Sequence, residues 1–259
     1  MTDNLRMNQM PYATEKRTSY ENFAAVCPCC GKCSIFNRVS DLKECDPIAF
    51  KTVQCLSPSC SKPFNINGDS VNAAHEMLVF DCHELLRQKH YMNCIITLAQ
   101  AHEVFFSLFL RVELLYKPFA KDDGRDIDRL NRLSEQLAEK VKNHTFAPMR
   151  ALFLRQLVSG PRLASLSEAE AAILRLPERP TDPADSDLEK VGDPALVDLL
   201  KALKRTTIHE VRNRVVHKRA YRPSRDEAKS AFKSARKLLF PLTHRLGLHD
   251  EINWYLANK

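Results

Sequence analysis

The sequence predicts a mainly α-helical protein that begins with a small cysteine-rich β module. Only six of the 259 residues are glycine, and from Asp69 onward apolar residues recur every three or four positions, as on one face of a helix. All nine cysteines lie in the first 94 residues, where residues 49–54 alternate as a short strand does. These observations predict a flexible segment at 1–22, a β module at 23–68 and a helical domain at 69–259. Residues 120–193 are expected to form a helical and loop insertion in that domain.

Positive charge is concentrated towards the C-terminus. The chain has a net charge of +7, whereas residues 201–245 contain 14 Lys and Arg against three Asp and Glu, a net charge of +11. A basic stripe of this kind suits a polyanion such as RNA. A solvated basic helix face is the alternative interpretation.

Two features predict a cytoplasmic protein with no membrane partner. Residues 1–22 are polar and lack the apolar core of a secretory signal. The most apolar run, 94–110, contains Gln100, His102 and Glu103, which indicates a buried core helix and not a membrane span. An odd number of cysteines without an export signal favours metal binding over a disulfide framework.

Two cysteine pairs predict a closed metal site. Cys27 and Cys30 form a C-x2-C knuckle followed by Gly31, which allows a tight turn, and Cys55 and Cys60 form a wider second pair. Four thiolates around one ion make a structural Zn²⁺ site with no open position for a catalytic water. The sequence therefore predicts a zinc ribbon that its metal holds folded.

The choice of ligands stays open at this point. Cys29, Cys33 and Cys45 are additional cysteines, and Cys29 could replace Cys30 as a ligand. A redox role for Cys27 and Cys30 is disfavoured, because no βαβ pattern follows them.

The helical domain divides into core helices and inserted helices. Core helices are predicted at 69–88, 91–116 and 194–217, and a last helix begins after Ser224, where Glu227 completes a capping box. Inserted helices are predicted at 126–142, at 149–158 and from Leu166 onward. The proline-rich stretch 176–194 is predicted to be an exposed loop.

The chemically distinctive stretch lies at the end of the 194–217 helix. It contains Arg212, Asn213 and His217 in an Arg-Asn-x3-His arrangement. Successive helical residues turn by about 100°, so Asn213 and His217 share a face, whereas Arg212 and His217 lie about 140° apart. To bring both onto one phosphate, either the helix loosens at its end or two such ends meet across a dimer.

This arrangement resembles the Arg-x4–6-His signature of HEPN domains, which are small all-helical bundles, many of them metal-independent ribonucleases. Two further motifs extend the resemblance to bacterial zinc-ribbon HEPN proteins: Cys27-Pro28-x-Cys30-Gly31 and Cys60-Ser61-Lys62-Pro63. The similarity covers roughly residues 23–117 and 194–247, whereas 120–193 has no counterpart. It implies an up-and-down helical bundle that follows the zinc ribbon.

The resemblance also implies a reaction, namely RNA cleavage without a catalytic metal at a site shared by two copies of the chain. His217 would take the proton from the ribose 2′-OH, Arg212 would stabilise the phosphorane, and Asn213 would orient His217 or the phosphate. The products would be a 2′,3′-cyclic phosphate and a 5′-OH end. Relatives of this kind often act as toxins or in phage defence, which implies an antitoxin or defence-system partner protein.

Residues around the motif are expected to bind flanking RNA, by gripping phosphates and stacking a base. They are Arg214, Lys218, Arg219, Tyr221 and Arg222. For Lys218 and Arg219, stabilisation of the helix dipole is an equal alternative.

Four further residues are weaker candidates. Glu103 resembles an acidic position in the corresponding helix of HEPN relatives, and a solvent-facing glutamate is the alternative. His102 is interpreted as a core histidine, and His209 and His244 are interpreted as surface residues.

Two other functions compete with a ribonuclease. A non-catalytic HEPN module that binds RNA or a partner protein need not keep the set of Arg212, Asn213 and His217, which this chain retains. A DNA-binding regulator would use the cysteine-rich module, but the strongest positive charge lies at the other end of the chain.

Overall fold

The computed structural model describes residues 12–13, 22–37, 41–42, 50–67, 74–119, 126–217 and 221–248. The chain forms two compact units, residues 1–71 and 72–259, named here the cysteine module and the helical unit. The protein is mainly helical with a small N-terminal β region, which confirms that part of the predicted fold class.

The cysteine module contains two small sheets. Its strands are β1 (Tyr12–Ala13), β2 (Asn22–Val26), β3 (Cys33–Asn37), β4 (Phe50–Gln54) and β5 (Pro63–Asn67). Strand β3 pairs antiparallel with β2 and parallel with β1, which falls inside the segment predicted to be flexible, and β4 pairs antiparallel with β5. The rings of Phe36 and Phe64, 6.5 Å apart, join the two sheets in a small buried cluster. So small an apolar cluster needs a metal or another clamp to fold.

The helical unit contains one main hydrophobic core. Its helices are α1 (Ala74–Arg87), α2 (Tyr91–Arg111), α3 (Ile127–Val141), α4 (Phe146–Ser159), α5 (Leu166–Leu174), α6 (Asp185–Leu188), α7 (Pro194–Lys204), α8 (Ile208–His217) and α9 (Arg225–Arg245). Helix α2 continues as a π-helical turn, Val112–Tyr116, and the predicted capping box at Ser224 and Glu227 starts α9.

Helix α2 lies at the centre of this core. Its Phe105, Phe106 and Phe109 are fully buried, and Phe153 of α4 packs against all three with ring centroids 5.4, 5.4 and 4.6 Å away. The stretch Tyr91–Tyr116 has the length and apolar composition of a membrane span, but 61% of its apolar window is buried within the protein. Because α4 lies in the predicted insertion, that region supplies part of the main core.

The predicted 194–217 helix is in fact two helices. Helix α7 ends at Lys204, and α8 starts at Ile208, where the Thr207 carbonyl accepts from the Val211 N–H at 3.1 Å. Two consecutive threonines, Thr206 and Thr207, separate them. Their branched side chains lower helix propensity, so the periodic apolar pattern alone concealed the break.

The predicted exposed loop 176–194 is also partly helical. It contains α6 and a 3-10 turn, Glu189–Val191, and Leu188 is fully buried. An ion pair of 2.7 Å joins Asp182 to the buried Arg150 of α4. The loop therefore packs on the core through the Leu188 side chain and through the ion pair of Asp182 with Arg150.

Two buried thiols lie where α1 packs against α2. The Sγ of Cys82 is 3.6 Å from the Cys94 carbonyl oxygen, and the Sγ of Cys94 is 3.8 Å from the Cys82 carbonyl oxygen. The neighbouring Cys94 side chain and burial raise the pKa of the Cys82 thiol far above its ordinary value. Both residues are free thiols and pack in the core as small apolar side chains.

Candidate functional site

Four cysteines of the cysteine module form a cluster suited to a metal ion. The Sγ atoms of Cys27, Cys30, Cys55 and Cys60 all lie within 4.8 Å of one another, with 3.9 Å between Cys27 and Cys60 and 3.7 Å between Cys30 and Cys55. These distances are far longer than a disulfide bond of about 2.05 Å. Four thiolates around Zn²⁺ at about 2.3 Å would be about 3.8 Å apart. The cluster therefore fits tetrahedral coordination of a structural metal.

Two tight turns bring these thiols together. In the first, the Gly31 N–H donates to the Cys27 carbonyl at 2.8 Å, and Gly31 has a φ of +68°, which only glycine adopts at low cost. In the second, the Cys60 N–H donates to the Ser57 carbonyl at 2.9 Å, and Ser61 takes the left-handed place with a φ of +46°. The wider spacing of the second pair thus still gives a comparable turn.

The electrostatics of the cluster favour a cation. Burial raises the pKa of the Cys27 thiol, but the backbone N–H groups of Cys29 and Cys30 lower it, to about 7. For Cys30, the Lys32 N–H lowers the pKa, but burial and the neighbouring thiols raise it, to about 12. Four such thiols cannot all ionise beside one another unless a positive ion compensates them.

The remaining described cysteines of the module stay outside the cluster. Cys29 is exposed, and the Sγ of Cys33 lies 4.0 Å from the Ser34 carbonyl oxygen. The cluster therefore contains Cys30 and not Cys29, and Cys45 lies outside the described residues.

The predicted catalytic residues lie on α8. Arg212 is half-buried and its Nη1 donates to the Asn213 Oδ1 at 3.1 Å, whereas Asn213 and His217 are exposed. Helix α8 stays α-helical as far as His217, so the loosened helix end is not observed there. Among the described residues, no hydrogen bond joins His217 to Arg212 or Asn213. One chain thus brings Arg212 and Asn213 together and leaves His217 apart from Arg212.

Glu103 of α2 lies within electrostatic range of Arg212 but, in the part of the chain that the structure describes, forms no ion pair with it. Its carboxylate is half-buried, and burial raises its pKa, while the Arg212 guanidinium and the Phe146 backbone N–H act in the opposite direction. The net pKa of Glu103 stays above its ordinary value. Glu103 is therefore not the solvent-facing residue of the alternative interpretation. It lies between the motif helix and the first residue of α4.

The ring of Phe146 packs against two histidines, His209 and His102. It stacks on His209 at 5.0 Å with an interplanar angle of 13°, and it lies 5.4 Å from His102. His102 is fully buried, its Nδ1 donates to the Leu98 carbonyl at 2.8 Å, and burial lowers its pKa to about 4. The core assignment of His102 is thus confirmed, whereas the surface assignment of His209 is wrong. Burial, followed by the charge of Arg150, lowers the pKa of His209.

The residues predicted to bind flanking RNA partly contact one another. The Arg214 guanidinium lies 4.6 Å from the centre of the Tyr221 ring and 3.6 Å from Glu227, to which the Tyr221 hydroxyl donates at 2.6 Å. Arg222 is exposed, with its Nη1 3.0 Å from the Met92 Sδ. Lys218 and Arg219 lie outside the described residues.

Sequence reasoning missed two residues of this region. Phe146 carries no polar pattern that distinguishes it from other core residues, so nothing in the sequence singled it out. Glu227 was identified only as a capping residue, although it also holds Arg214 and Tyr221.

The arrangement on α8 offers two chemical capacities. An arginine oriented by a neighbouring amide can bind a phosphate group, and an exposed imidazole can move a proton. The four-thiol cluster can hold a structural metal ion. Comparison with protein-family models, with curated proteins and with solved structures finds no match for the chain.

Proposed function

We propose that this protein is a metal-independent endoribonuclease of the HEPN type that works as a homodimer. The observation that carries the proposal is the surroundings of Arg212. Its guanidinium donates to the Asn213 amide and lies within electrostatic range of the half-buried Glu103 carboxylate, at the exposed end of a helix that also presents His217. An arginine whose guanidinium is already oriented by a neighbouring side chain is suited to a phosphate oxygen, because less order is lost when the ligand binds.

Each residue has a distinct role in the proposed reaction. His217 takes the proton from the ribose 2′-OH, and O2′ forms a bond to the adjacent phosphorus. Arg212 stabilises the negative charge on the phosphorane. The P–O5′ bond then breaks, and O5′ takes up a proton. The products are a 2′,3′-cyclic phosphate and a 5′-OH end, with no metal ion needed for either step.

The regular geometry of α8 supports a composite site. Arg212 and His217 are separated by about 140° around a straight helix, so one chain cannot direct both at the same phosphate. Two copies related by a twofold axis can place Arg212 of one beside His217 of the other. An enzyme of this kind would serve as a toxin or a phage-defence effector, held in check by a partner protein.

The cysteine cluster completes the proposal with a structural Zn²⁺ ion. Cys27, Cys30, Cys55 and Cys60 would hold it as thiolates, and four protein ligands leave no position for water. The metal would stabilise the module and take no part in cleavage.

The decisive experiment compares the wild type with His217→Ala and Arg212→Lys on total RNA and tRNA in the presence of EDTA. His217→Ala should lower the cleavage rate by about 10²-fold or more, the usual contribution of a general base. Arg212→Lys keeps the charge but loses the planar fork, and should also lose most activity. End-group analysis should find cyclic phosphates. A requirement for Mg²⁺, or equal rates for His217→Ala and wild type, would refute the proposal.

One observation favours a second candidate, a non-catalytic module that binds RNA or a partner protein. In the described chain, Arg214 and Tyr221 are occupied by contacts with Glu227, and His217 makes no hydrogen bond with the motif arginine. A module of this kind would bind RNA in the assay above and leave it uncut.

A further inference from the structure

One exposed face of α9 is densely basic. Arg225, Lys229, Lys233, Arg236 and Lys237 are all exposed, and at 100° per residue they fall within an arc of about 120°. From the first to the last they span about 18 Å of helix axis, at 1.5 Å per residue. Among the ion pairs of the described residues, none involves these five side chains. This set is named here the α9 basic face.

Helix stability does not account for this face. Arg225 is the first residue of α9, where the positive end of the helix dipole disfavours a cation. Like charges four residues apart, as in Lys229 and Lys233, cost about 0.2–0.5 kcal/mol for each pair. The one acidic residue on the same arc is Asp226 in the first turn, where a carboxylate suits the dipole.

The other surface helices of the unit differ in this respect. Their exposed cations are often paired with carboxylates three or four residues away, as in Arg87 with Glu84, Lys117 with Glu113 and Lys190 with Asp187. Among the described residues, the side chains of the α9 basic face thus lack the ion pairs with nearby carboxylates that occur on other helices of the same unit. A binding partner with repeated negative charges would compensate for it.

A polar groove lies between α8 and the side of α9 that adjoins this face. The groove has a volume of about 390 Å³, and its α9 wall includes Ser230 and Ser234, next in sequence to Lys229 and Lys233. Arg214 of α8 also lines the groove, together with its ion-pair partner Glu227 of α9. Hydroxyl groups beside a row of cations are usual donors to phosphate oxygens.

We infer that the α9 basic face binds the phosphate backbone of an RNA strand and guides it towards the motif on α8. This inference rests on the proposed function, because it names how the RNA substrate of that site is held. Cations distributed over about 18 Å of one helix face suit a flexible polyanion, whose phosphates recur along the strand.

The experiment measures the affinity for a labelled single-stranded RNA by fluorescence anisotropy over a range of KCl concentrations. All variants carry His217→Ala so that the RNA stays intact. The test variant adds Lys229→Glu and Lys233→Glu, and the control adds Arg162→Glu and Arg179→Glu, two exposed and unpaired cations elsewhere on the unit. Both variants change the net charge by the same amount.

The α9 variant should bind RNA at least about tenfold more weakly, and its log–log salt slope should fall by about 1.4, because each contact to a single strand contributes about 0.7. The control should stay within about threefold of the parent. Glutamate is a good helix former, and it removes repulsion between the two lysines, so α9 should remain folded. A normal thermal unfolding transition verifies this.

Three results would overturn the inference: no RNA binding by the parent at low salt, equal weakening of both variants, or unchanged affinity of the α9 variant. The last result would indicate that the face serves an acidic protein. RNA binding through α9 combined with equal cleavage by wild type and His217→Ala would refute the nuclease and leave this inference standing.

Discussion

At the scale of single residues, burial acts on two neighbouring titratable side chains of α2, His102 and Glu103. His102 is fully buried against Phe146 and is kept neutral by that burial. Glu103, the next residue, is half-buried and lies within electrostatic range of Arg212 on the motif helix. One turn of α2 therefore contributes both to the core and to the electrostatic surroundings of the motif.

The first prediction concerns His102 and pH. Burial lowers its pKa to about 4 in the folded protein, against about 6.5 in the unfolded chain. The neutral ring contributes fully to folding above pH 6.5, and this contribution is lost as the pH falls towards 4, because only the unfolded state binds the proton. As the pH falls to 4, the unfolding free energy of the wild type should decrease by about 3 kcal/mol through this group. The His102→Gln variant should not show this decrease.

Urea denaturation at several pH values between 7 and 4 measures this effect. His244→Gln is the matched control, because His244 is exposed and its removal should leave the profile of the wild type unchanged. Parallel profiles for wild type and His102→Gln would show that another group causes the acid sensitivity.

At the scale of elements, local signals and long-range contacts had different predictive value. Three features depend only on residues close in sequence, so the sequence was sufficient to place them. They are the cysteine knuckles at Cys27 and Cys55, the capping box at Ser224 and the apolar face of α2. The break between α7 and α8 was missed, because the apolar repeat continues across it in phase.

The role of the 120–193 region was missed for a different reason. Its helix α4 contacts α2 from far along the chain, as Phe153 does with Phe109, 44 residues earlier, and no single-sequence pattern reports such a pairing. Helical periodicity was sufficient to place Asn213 and His217 on one face of a helix, whereas the proximity of Glu103 to Arg212 depends on how α2 packs against α8. It therefore needed the three-dimensional structure.

The second prediction tests whether α4 is an integral part of the core. Phe153 is completely buried among three other rings, so Phe153→Ala should lower the unfolding free energy by about 3–5 kcal/mol. Phe80→Ala removes the same ring from a half-exposed site on α1 and should cost clearly less. Chemical denaturation compares the two variants. Equal, small losses would mean that α4 is a dispensable insertion.

The third prediction concerns metal in the cysteine module. The wild type should contain about one zinc ion per chain, and Cys60→Ser should lose most of it because three thiolates no longer close the site. The helical unit should keep its own thermal transition, since it has a separate core. Elemental analysis and calorimetry measure both.

Cys29→Ser provides the control for this experiment, because Cys29 is exposed and lies outside the cluster. It should retain the metal content of the wild type. Full zinc occupancy in Cys60→Ser, or loss of zinc in Cys29→Ser, would show that the ligands are assigned incorrectly.

At the scale of the whole molecule, the proposed activity depends on two chains. Arg212→Ala and His217→Ala should each be inactive alone. Mixed and allowed to exchange subunits, they should recover about a quarter of wild-type activity, because half the dimers are mixed and each has one intact site of two. The fourth prediction is this recovery, measured with the RNA cleavage assay.

Mixing each variant with itself is the control and should recover nothing. Light scattering at micromolar concentration should find a dimer for the wild type and both variants. A stable monomer with full nuclease activity would contradict the shared site, whatever the result of mixing.

The described cysteines differ in accessibility, so their rates of alkylation report separate structural events. Cys29 is exposed and should be alkylated at once, whereas the four clustered thiols should react only after their metal leaves. Cys82 and Cys94 are sealed between α1 and α2, so they should react only when those helices separate. Mass spectrometry of the labelled chain over time would then resolve three alkylation rates in one sample. The fastest reports an exposed thiol, the second reports loss of the metal, and the third reports separation of α1 from α2.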